Sequence, residues 1–343
     1  MTVLREIGRP PVDRLGVAFT GGLTPPEIVE CVALAEAQGY DSAWVAEGHG
    51  GDQFAVLAAC ATATSRIRLG TSISSIFVRS APTIAMAAAT VDHLSGGRFL
   101  LGLGSSHRVQ VVGEHGLPYD RPIDRLRETV DVIRALVRDG AVSHRGRLLT
   151  IERFDLWFRP LRPAIPIYLA GVFRPMLEIC GEIADGAILT WSTLEWARAA
   201  AAHVAAGARR AGRDPSQIDV TTLLGCAVGE DVSEARERLR PGVALYAGFF
   251  PRYNRLLAES GFAEAASAIR DAWQRGDRAR AVALVPDALV DAVALVGSPD
   301  RCRQRIAEYR GAGITLPIVT PRVREGGGVA AVKDAIRACA PAG

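Results

Sequence analysis

Two side chains able to transfer protons stand close together in the stretch WVAEGHGGDQF, residues 44–54. Glu47 and His49 follow an apolar run and precede two glycines, so they lie where a buried strand would end and a loop would begin. Carboxylates and imidazoles are common general acids and bases in enzymes. The pattern makes both residues candidates for catalysis at the mouth of a pocket, the alternative being the solvated end of a turn.

Other signatures of catalysis or metal binding are missing. The stretch GLGSSH, residues 102–107, lacks the last glycine of a dinucleotide-binding loop because His107 stands in its place. P-loop, GxSxG and HExxH motifs do not occur, and the six histidines never stand three or four residues apart. No CxxC pair occurs either, so we expect buried thiols and no metal site at the six widely spaced cysteines, which are Cys31, Cys60, Cys180, Cys226, Cys302 and Cys339.

The composition limits the class of protein. The chain has 343 residues, of which 49% are hydrophobic and 22% charged, enough for one barrel-sized domain or two smaller ones. A net charge of +3 without a basic block argues against nucleic-acid binding. The sequence contains no run of about 18 apolar residues, which argues against membrane insertion. Its N-terminal stretch has no apolar signal region, which argues against export. We expect a soluble cytoplasmic protein that acts on a small molecule.

Short apolar strands alternate with longer amphipathic helices along most of the chain. Strands are predicted at 15–20, 41–47, 67–73, 98–104, 165–171, 187–191, 218–229 and 314–321. Strand–helix alternation predicts a parallel sheet of the α/β class, and eight such units favour a (β/α)8 TIM barrel. An open doubly wound sheet is the alternative.

Two segments interrupt this alternation and are predicted as insertions in a single domain spanning 1–343. Residues 142–160, after the fourth helix, are expected to form a hairpin or irregular loop around Gly146. Residues from about 230 to 310 are expected to form a helical insertion before the eighth strand. Within it, LYAGFFPRYNRLL clusters aromatic residues that would either line a substrate pocket or pack against the barrel or a second subunit.

Active sites of such barrels lie at the carboxyl ends of the strands. This rule selects 47–49 after the second strand, 72–76 after the third, 104–107 after the fourth, 170–174 after the fifth and 190–191 after the sixth. Polar residues elsewhere are assigned to the scaffold.

Four stretches in order, GYDSAWVAE, ATSRIRLGTSI, AATVDHLSGGRFLLGLG and GEIADGAIL, resemble the bacterial luciferase-like monooxygenase superfamily. They are most similar to its branch that uses the deazaflavin coenzyme F-420, which includes methylenetetrahydromethanopterin reductase. The similarity extends over about 15–229, with a weaker match at 295–319. The resemblance implies a (β/α)8 barrel with insertions, a hydride-transferring oxidoreductase and a homodimer.

The resemblance also implies where the coenzyme binds. Its ring would pack on a bulge after the third strand, with a non-proline cis peptide expected between Ser72 and Ile73. Its phosphate is expected where backbone N–H groups begin the helix after the fifth strand. Arg174 would compensate there for fewer glycines than relatives carry. The loop residues concerned are Ala170, Gly171, Val172, Phe173 and Arg174.

The proposed proton donors depart from the family pattern. Several F-420-dependent reductases and dehydrogenases carry a carboxylate after the GLG-like turn, near the hydride-accepting carbon, whereas this chain has Ser105 after Gly104. Serine is a poor acid at neutral pH, so this role would pass to His107 if its side chain points inward. F-420-dependent relatives often place a histidine directly after the acid that matches Glu47, whereas a glycine here displaces His49 by one residue.

The sequence thus predicts hydride transfer between coenzyme F-420 and a small organic substrate, with reduction of a C=N or C=C bond favoured over alcohol oxidation. Glu47, His49 and His107 are the predicted catalytic residues. One alternative is an FMN-dependent luciferase-like monooxygenase. Another is a non-catalytic flavin-binding barrel, suggested by the serine at position 105.

Overall fold

The computed structural model describes residues 13–322 and 328–341 of the chain. The strands in these ranges are β1 (Gly16–Phe19), β2 (Ser42–Val45), β3 (Arg68–Thr71), β4 (Ser74–Ser75), β5 (Phe99–Gly104), β6 (Ala141–Arg145), β7 (Thr150–Asp155), β8 (Ile167–Ala170), β9 (Gly186–Thr190), β10 (Asp219–Val228), β11 (Ala294–Gly297) and β12 (Leu316–Pro321).

Helices alternate with these strands and cover the outside of the sheet. They are α1 (Pro25–Ala37), α2 (Gln53–Ala63), α3 (Ala81–Leu94), α4 (Arg108–Gly113), α5 (Pro122–Asp139), α6 (Arg174–Ile183), α7 (Leu194–Arg210), α8 (Val232–Phe249), α9 (Pro251–Leu257), α10 (Ala263–Gln274), α11 (Arg278–Ala283), α12 (Asp287–Val293), α13 (Pro299–Gly311) and α14 (Gly328–Ala338). None of these helices is both long and apolar enough to span a bilayer.

The central sheet closes on itself. Within the described residues, eight parallel strands follow one another in the order β10, β12, β1, β2, β3, β5, β8 and β9, and β9 pairs back to β10. The predicted (β/α)8 barrel is therefore confirmed, and closure excludes the open doubly wound sheet.

Large aromatic side chains fill the inside of the barrel. The rings of Trp44 and Tyr168 meet edge to face, with centroids 5.2 Å apart. A Cβ atom on Gly70 would approach the Trp44 indole to 2.3 Å, and one on Gly186 would approach the Tyr168 ring equally closely. Glycine on the neighbouring strands therefore provides the space that these rings occupy.

The two insertions differ in how well the sequence predicted them. Strands β6 and β7 form the expected antiparallel hairpin around Gly146. The second insertion is not wholly helical, because β11 pairs in parallel with residues 225–228 of β10. Strand β10 is ten residues long and pairs with β9 only over 219–223. The backbone groups at the end of β10 are therefore available to pair with the buried segment Ala294–Gly297.

Candidate active site

A cavity of about 510 Å³ opens at the carboxyl ends of the barrel strands. Helices α8 and α9 of the second insertion close one side of it. Gly171 and Arg174 are outside its lining. The other predicted site residues line it, namely Glu47, His49, Ser72, Ile73, Gly104, Ser105, His107, Ala170 and Val172.

A bulge after β3 forms one wall of the cavity. The peptide bond between Ser72 and Ile73 is cis, which confirms the predicted position. The chain then rejoins the sheet as β4, which pairs with Leu103 and Gly104 of β5. A Cβ atom on Gly104 would lie 2.8 Å from Cδ1 of Ile73, so glycine is needed for the Ile73 side chain to lie across β5. The bulge thereby presents an apolar surface to the cavity.

Glu47 holds this bulge in place. One carboxylate oxygen accepts a hydrogen bond from the Ser75 backbone N–H at 2.8 Å, and the other lies 2.5 Å from Nε of Arg79. Arg79 is also paired with Asp52, the N-cap residue of α2. Both oxygens of Glu47 are engaged, so in this geometry the residue positions the bulge and is not a free acid.

His49 lies at the outer rim. Its side chain is 81% exposed, and its Nε2 atom is 3.3 Å from a carboxylate oxygen of Glu114. The glycine that separates His49 from Glu47 allows the loop to turn the imidazole towards solvent. The structure therefore gives no support to an inward-facing His49.

His107 lies inside the cavity, against aromatic rings of the second insertion. Its ring centroid is 4.1 Å from that of Phe250 and 5.5 Å from that of Tyr253. Burial and then the nearby Arg252 charge lower the pKa of His107 to about 4. The imidazole is therefore neutral at pH 7, which argues against its predicted role as a proton donor, although one ring N–H can still donate a hydrogen bond.

We expect His107 to reduce stability in mild acid. Above its ordinary pKa of about 6.5, histidine is neutral in both the folded and the unfolded chain and contributes nothing. As the pH falls from there towards about 4, only the unfolded chain takes up the proton, and the free energy of unfolding drops by about 2–3 kcal/mol.

His107→Phe keeps an aromatic ring against Phe250 and should remove this loss. Urea unfolding at about pH 7 and at about pH 4.5 measures this loss as the difference between the free energies of unfolding at the two pH values. His115→Phe, at an exposed histidine nearby, is the matched control and should behave like the unmodified chain. Equal acid sensitivity of the His107→Phe variant and the unmodified chain would contradict this interpretation.

The loop between β8 and α6 passes the cavity through Ala170, Val172 and Phe173. Gly171 faces the other way, where a Cβ atom would lie 3.1 Å from Leu177 of α6. The side chain of Arg174 is 69% exposed and pairs with Glu178 at 2.8 Å. The predicted anion-binding role of Arg174 is therefore not supported, because its guanidinium lies outside the cavity on the surface of α6.

Two arginines that the sequence interpretation missed line the cavity. Arg322 follows β12, and its Nε atom is buried without a hydrogen-bond partner among the described residues. Burial lowers the pKa of its guanidinium. Arg252, at the start of α9, has no ion-pair partner in the described part of the chain. The strand-end rule applied to the last strand would have identified Arg322, whereas no local signal marks Arg252.

The aromatic cluster of the second insertion also forms part of the cavity wall. Tyr246, Phe250 and Tyr253 line the cavity, so of the two alternatives left open for this segment the structure supports the pocket wall. Trp191, after β9, packs against Tyr246 with centroids 5.2 Å apart. A Cβ atom on Gly242 would lie 3.2 Å from the Trp191 ring, so a glycine in α8 gives the indole its place.

The chemistry of these walls suits a flat, anionic molecule. Ile73 and the aromatic cluster supply apolar surface on which a ring can pack. Ser72 Oγ and Thr320 Oγ1 are buried without hydrogen-bond partners among the described residues, as is Arg322 Nε. A ligand with a polar edge would satisfy such atoms, and the two arginines would attract a negative charge. A deazaflavin or flavin with its phosphate fits this description.

Known proteins resemble this chain over most of its length. The family model for luciferase-like monooxygenases matches residues 13–316. A putative coenzyme F-420-dependent oxidoreductase of Mycobacterium tuberculosis is 31% identical over 330 residues, covering 89% of this chain and 94% of that protein. The 5,10-methylenetetrahydromethanopterin reductase of Methanolobus tindarius is 29% identical over 303 residues, covering 88% and 91% of the two chains.

A solved structure agrees with the fold. The coenzyme F-420-dependent tetrahydromethanopterin reductase of Methanopyrus kandleri superposes with a TM-score of 0.84 and 26% identity. The superposition covers 95% of this chain and 96% of that one.

Proposed function

This chain belongs to the luciferase-like monooxygenase family of flavin- and deazaflavin-dependent oxidoreductases, and from this we propose that it transfers hydride between coenzyme F-420 and a small organic substrate. The proposal rests mainly on one observation: polar and cationic atoms on the cavity wall, above all Arg322 Nε, have no hydrogen-bond partner within residues 13–322 and 328–341. The similarity to F-420-dependent proteins favours this coenzyme over FMN.

The protein's part in this reaction is to bind and orient. When bound, the deazaflavin would supply the hydride chemistry. Ile73 and the segment 104–105 would support the ring, with Glu47 fixing the bulge through Ser75 and Arg79. Ala170, Val172 and the two arginines would hold the anionic part.

Proton delivery narrows the substrate class. Glu47 is the only carboxylate among the described residues that line the cavity, and both its oxygens are engaged. His107 is neutral at pH 7 because burial lowers its pKa to about 4. A substrate that needs no strong acid or base from the protein, with any proton taken from solvent, suits this site. We therefore propose reduction of a polarised C=N or C=C bond.

A titration with both coenzymes tests the function. We expect coenzyme F-420 to bind with micromolar affinity and FMN to bind more weakly. Visible absorbance or fluorescence of the coenzyme monitors binding in both titrations. Tighter binding of FMN would favour the monooxygenase alternative and overturn the coenzyme assignment. Binding of F-420 without turnover on imines, enones and alcohols would favour a non-catalytic flavin-binding barrel.

We expect Glu47→Gln to weaken F-420 binding about tenfold, whereas His49→Ala should change it less than about twofold. Glutamine keeps the shape but loses the charge that pairs with Arg79, so the bulge is held less firmly. His49 is exposed and pairs only at the rim, so its removal serves as the control. Coenzyme affinity and kcat/KM of both variants measure the effect, and the reverse ranking would restore His49 as the functional group.

We also propose that the protein forms a homodimer through an exposed apolar patch near the end of α3. The side chain of Trp157 is 98% exposed, and Leu94, Phe158 and Leu161 are exposed as well. His93 joins the two segments, because its ring contacts Phe158 and its Nε2 lies 2.7 Å from the Arg159 carbonyl. Such a patch is typical of protein interfaces.

Trp157→Asp should shift the protein from dimer to monomer in size-exclusion chromatography with light scattering. A charged side chain in the centre of an apolar interface would have to be desolvated. Val232→Asp, at an exposed apolar residue of α8, is the control and should leave the mass unchanged. A monomeric unmodified protein would contradict the proposal.

A further inference from the structure

Three cysteines far apart in the sequence meet in one buried cluster outside the barrel. Cys226 lies on β10, Cys302 on α13, and Cys339 directly after α14. Their three sulfur atoms all lie within 4.8 Å of one another, with Cys226 and Cys339 3.6 Å apart. None of the three residues is more than 1% exposed. The sequence spacing suggested isolated thiols, and the closed barrel with its outer helices brings these three together.

The spacing of the sulfur atoms suits a single metal ion. A metal–thiolate bond of about 2.3 Å places the sulfurs of a trigonal site about 4 Å apart. The Cys226–Cys339 distance of 3.6 Å and the upper limit of 4.8 Å for every sulfur pair are compatible with this value. Among the described residues, the group holds three sulfurs and no histidine or carboxylate, so no fourth protein ligand completes a tetrahedron. Zinc prefers four ligands, whereas soft thiolates also select Cu(I).

Burial of the three cysteines also bears on the charge of the ion. A buried site tolerates little net charge, and a monovalent cation bound to one thiolate forms an electrically neutral pair. Coordination by further thiols as thiolates would release one proton for each.

From this geometry we propose that Cys226, Cys302 and Cys339 form a three-coordinate site for a soft, thiophilic metal ion of the Cu(I) class. The site lies outside the coenzyme cavity and does not depend on the proposed function. Bound metal would link the C-terminal helix α14 to β10 and α13. Terminal elements open more readily than the core, which gives the ion a route to the buried sulfurs.

The other three cysteines provide matched controls. Cys31, Cys60 and Cys180 are fully buried but lie outside the cluster. Cys180 only donates a hydrogen bond to the Leu169 carbonyl. They represent the behaviour of a thiol that serves as a small apolar residue.

The test is an anaerobic titration of the full chain with Cu(I) against a chromogenic Cu(I) chelator. We expect one tightly bound equivalent, a rise in melting temperature and thiolate charge-transfer absorption. Cys226→Ser, Cys302→Ser and Cys339→Ser should each lower the affinity at least about 100-fold, while Cys31→Ser, Cys60→Ser and Cys180→Ser should not. Loss of affinity in the controls as well, or no tight binding in any protein, would overturn the site.

Two further measurements test whether a loss of affinity comes from misfolding of the variants and whether the site prefers Cu(I) to Zn(II). Alkylation of the unmodified protein should show that Cu(I) protects the three cluster cysteines and leaves the labelling of the other three unchanged. A parallel titration with Zn(II) should show weaker binding, and tighter binding of Zn(II) by the same cysteines would overturn the Cu(I) assignment. Cluster variants that remain folded should still bind coenzyme F-420 as the unmodified chain does.

Discussion

Replacing Arg322 with methionine should weaken binding of coenzyme F-420 by about 10- to 100-fold and make the coenzyme-free protein more stable. The guanidinium lines the cavity, and its Nε atom is buried without a partner among the described residues. An anionic or carbonyl oxygen of the coenzyme would accept a charge-assisted hydrogen bond there, worth about 1.5–3 kcal/mol. Without the coenzyme, no carboxylate among the described residues pairs with this guanidinium and burial lowers its pKa, so its removal should relieve a desolvation cost.

Opposite signs for binding and stability distinguish a binding residue from a structural one. Coenzyme titration measures the first effect, and urea unfolding of the coenzyme-free protein measures the second. The Arg322 backbone N–H donates to the Cys226 carbonyl at 2.7 Å, and methionine keeps that bond. Arg252→Met removes an exposed charge from the same cavity and should lower affinity by less than about fivefold, with a strong dependence on salt. A less stable Arg322→Met variant with unchanged affinity would assign Arg322 to the scaffold.

Gly207→Ala should lower the free energy of unfolding by about 3 kcal/mol. Helices α6 and α7 touch through their backbones, and a Cβ atom on Gly207 would lie 1.9 Å from the Glu178 carbonyl oxygen. A backbone atom cannot move aside as a flexible side chain can, so the helices must separate. Because α6 begins at the loop that passes the cavity, we also expect weaker coenzyme binding.

Gly311→Ala is the control for the Gly207 variant. Gly311 is the last residue of α13, and a Cβ atom there would meet nothing within 4 Å. Alanine should be neutral or stabilise the helix by up to about 1 kcal/mol. Urea unfolding compares the two variants, and a Gly207→Ala protein as stable as the Gly311→Ala protein would show that the helix contact can relax.

Local sequence patterns were sufficient to predict the architecture and the positions at which the strands end. Short apolar runs separated by amphipathic helices predicted the barrel, since burial against helices imposes this alternation on any parallel sheet. The strand-end rule placed Glu47, Ser72, Gly104 and His107 around one cavity. Strand β11 was missed because four apolar residues between two helices carry no periodicity of their own.

The tertiary structure decided what each of these groups can do. Glu47 is not free because Arg79, from another loop, pairs with its carboxylate. His107 is neutral because an aromatic cluster that is distant in the sequence packs over its ring and buries it. The sulfurs of Cys226, Cys302 and Cys339 meet only once the barrel has closed and its outer helices have packed. Sequence by itself determined the elements and the face on which the site lies, since these depend on neighbours along the chain. Protonation, pairing and burial depend on residues brought together from distant positions, and only the folded chain specifies them.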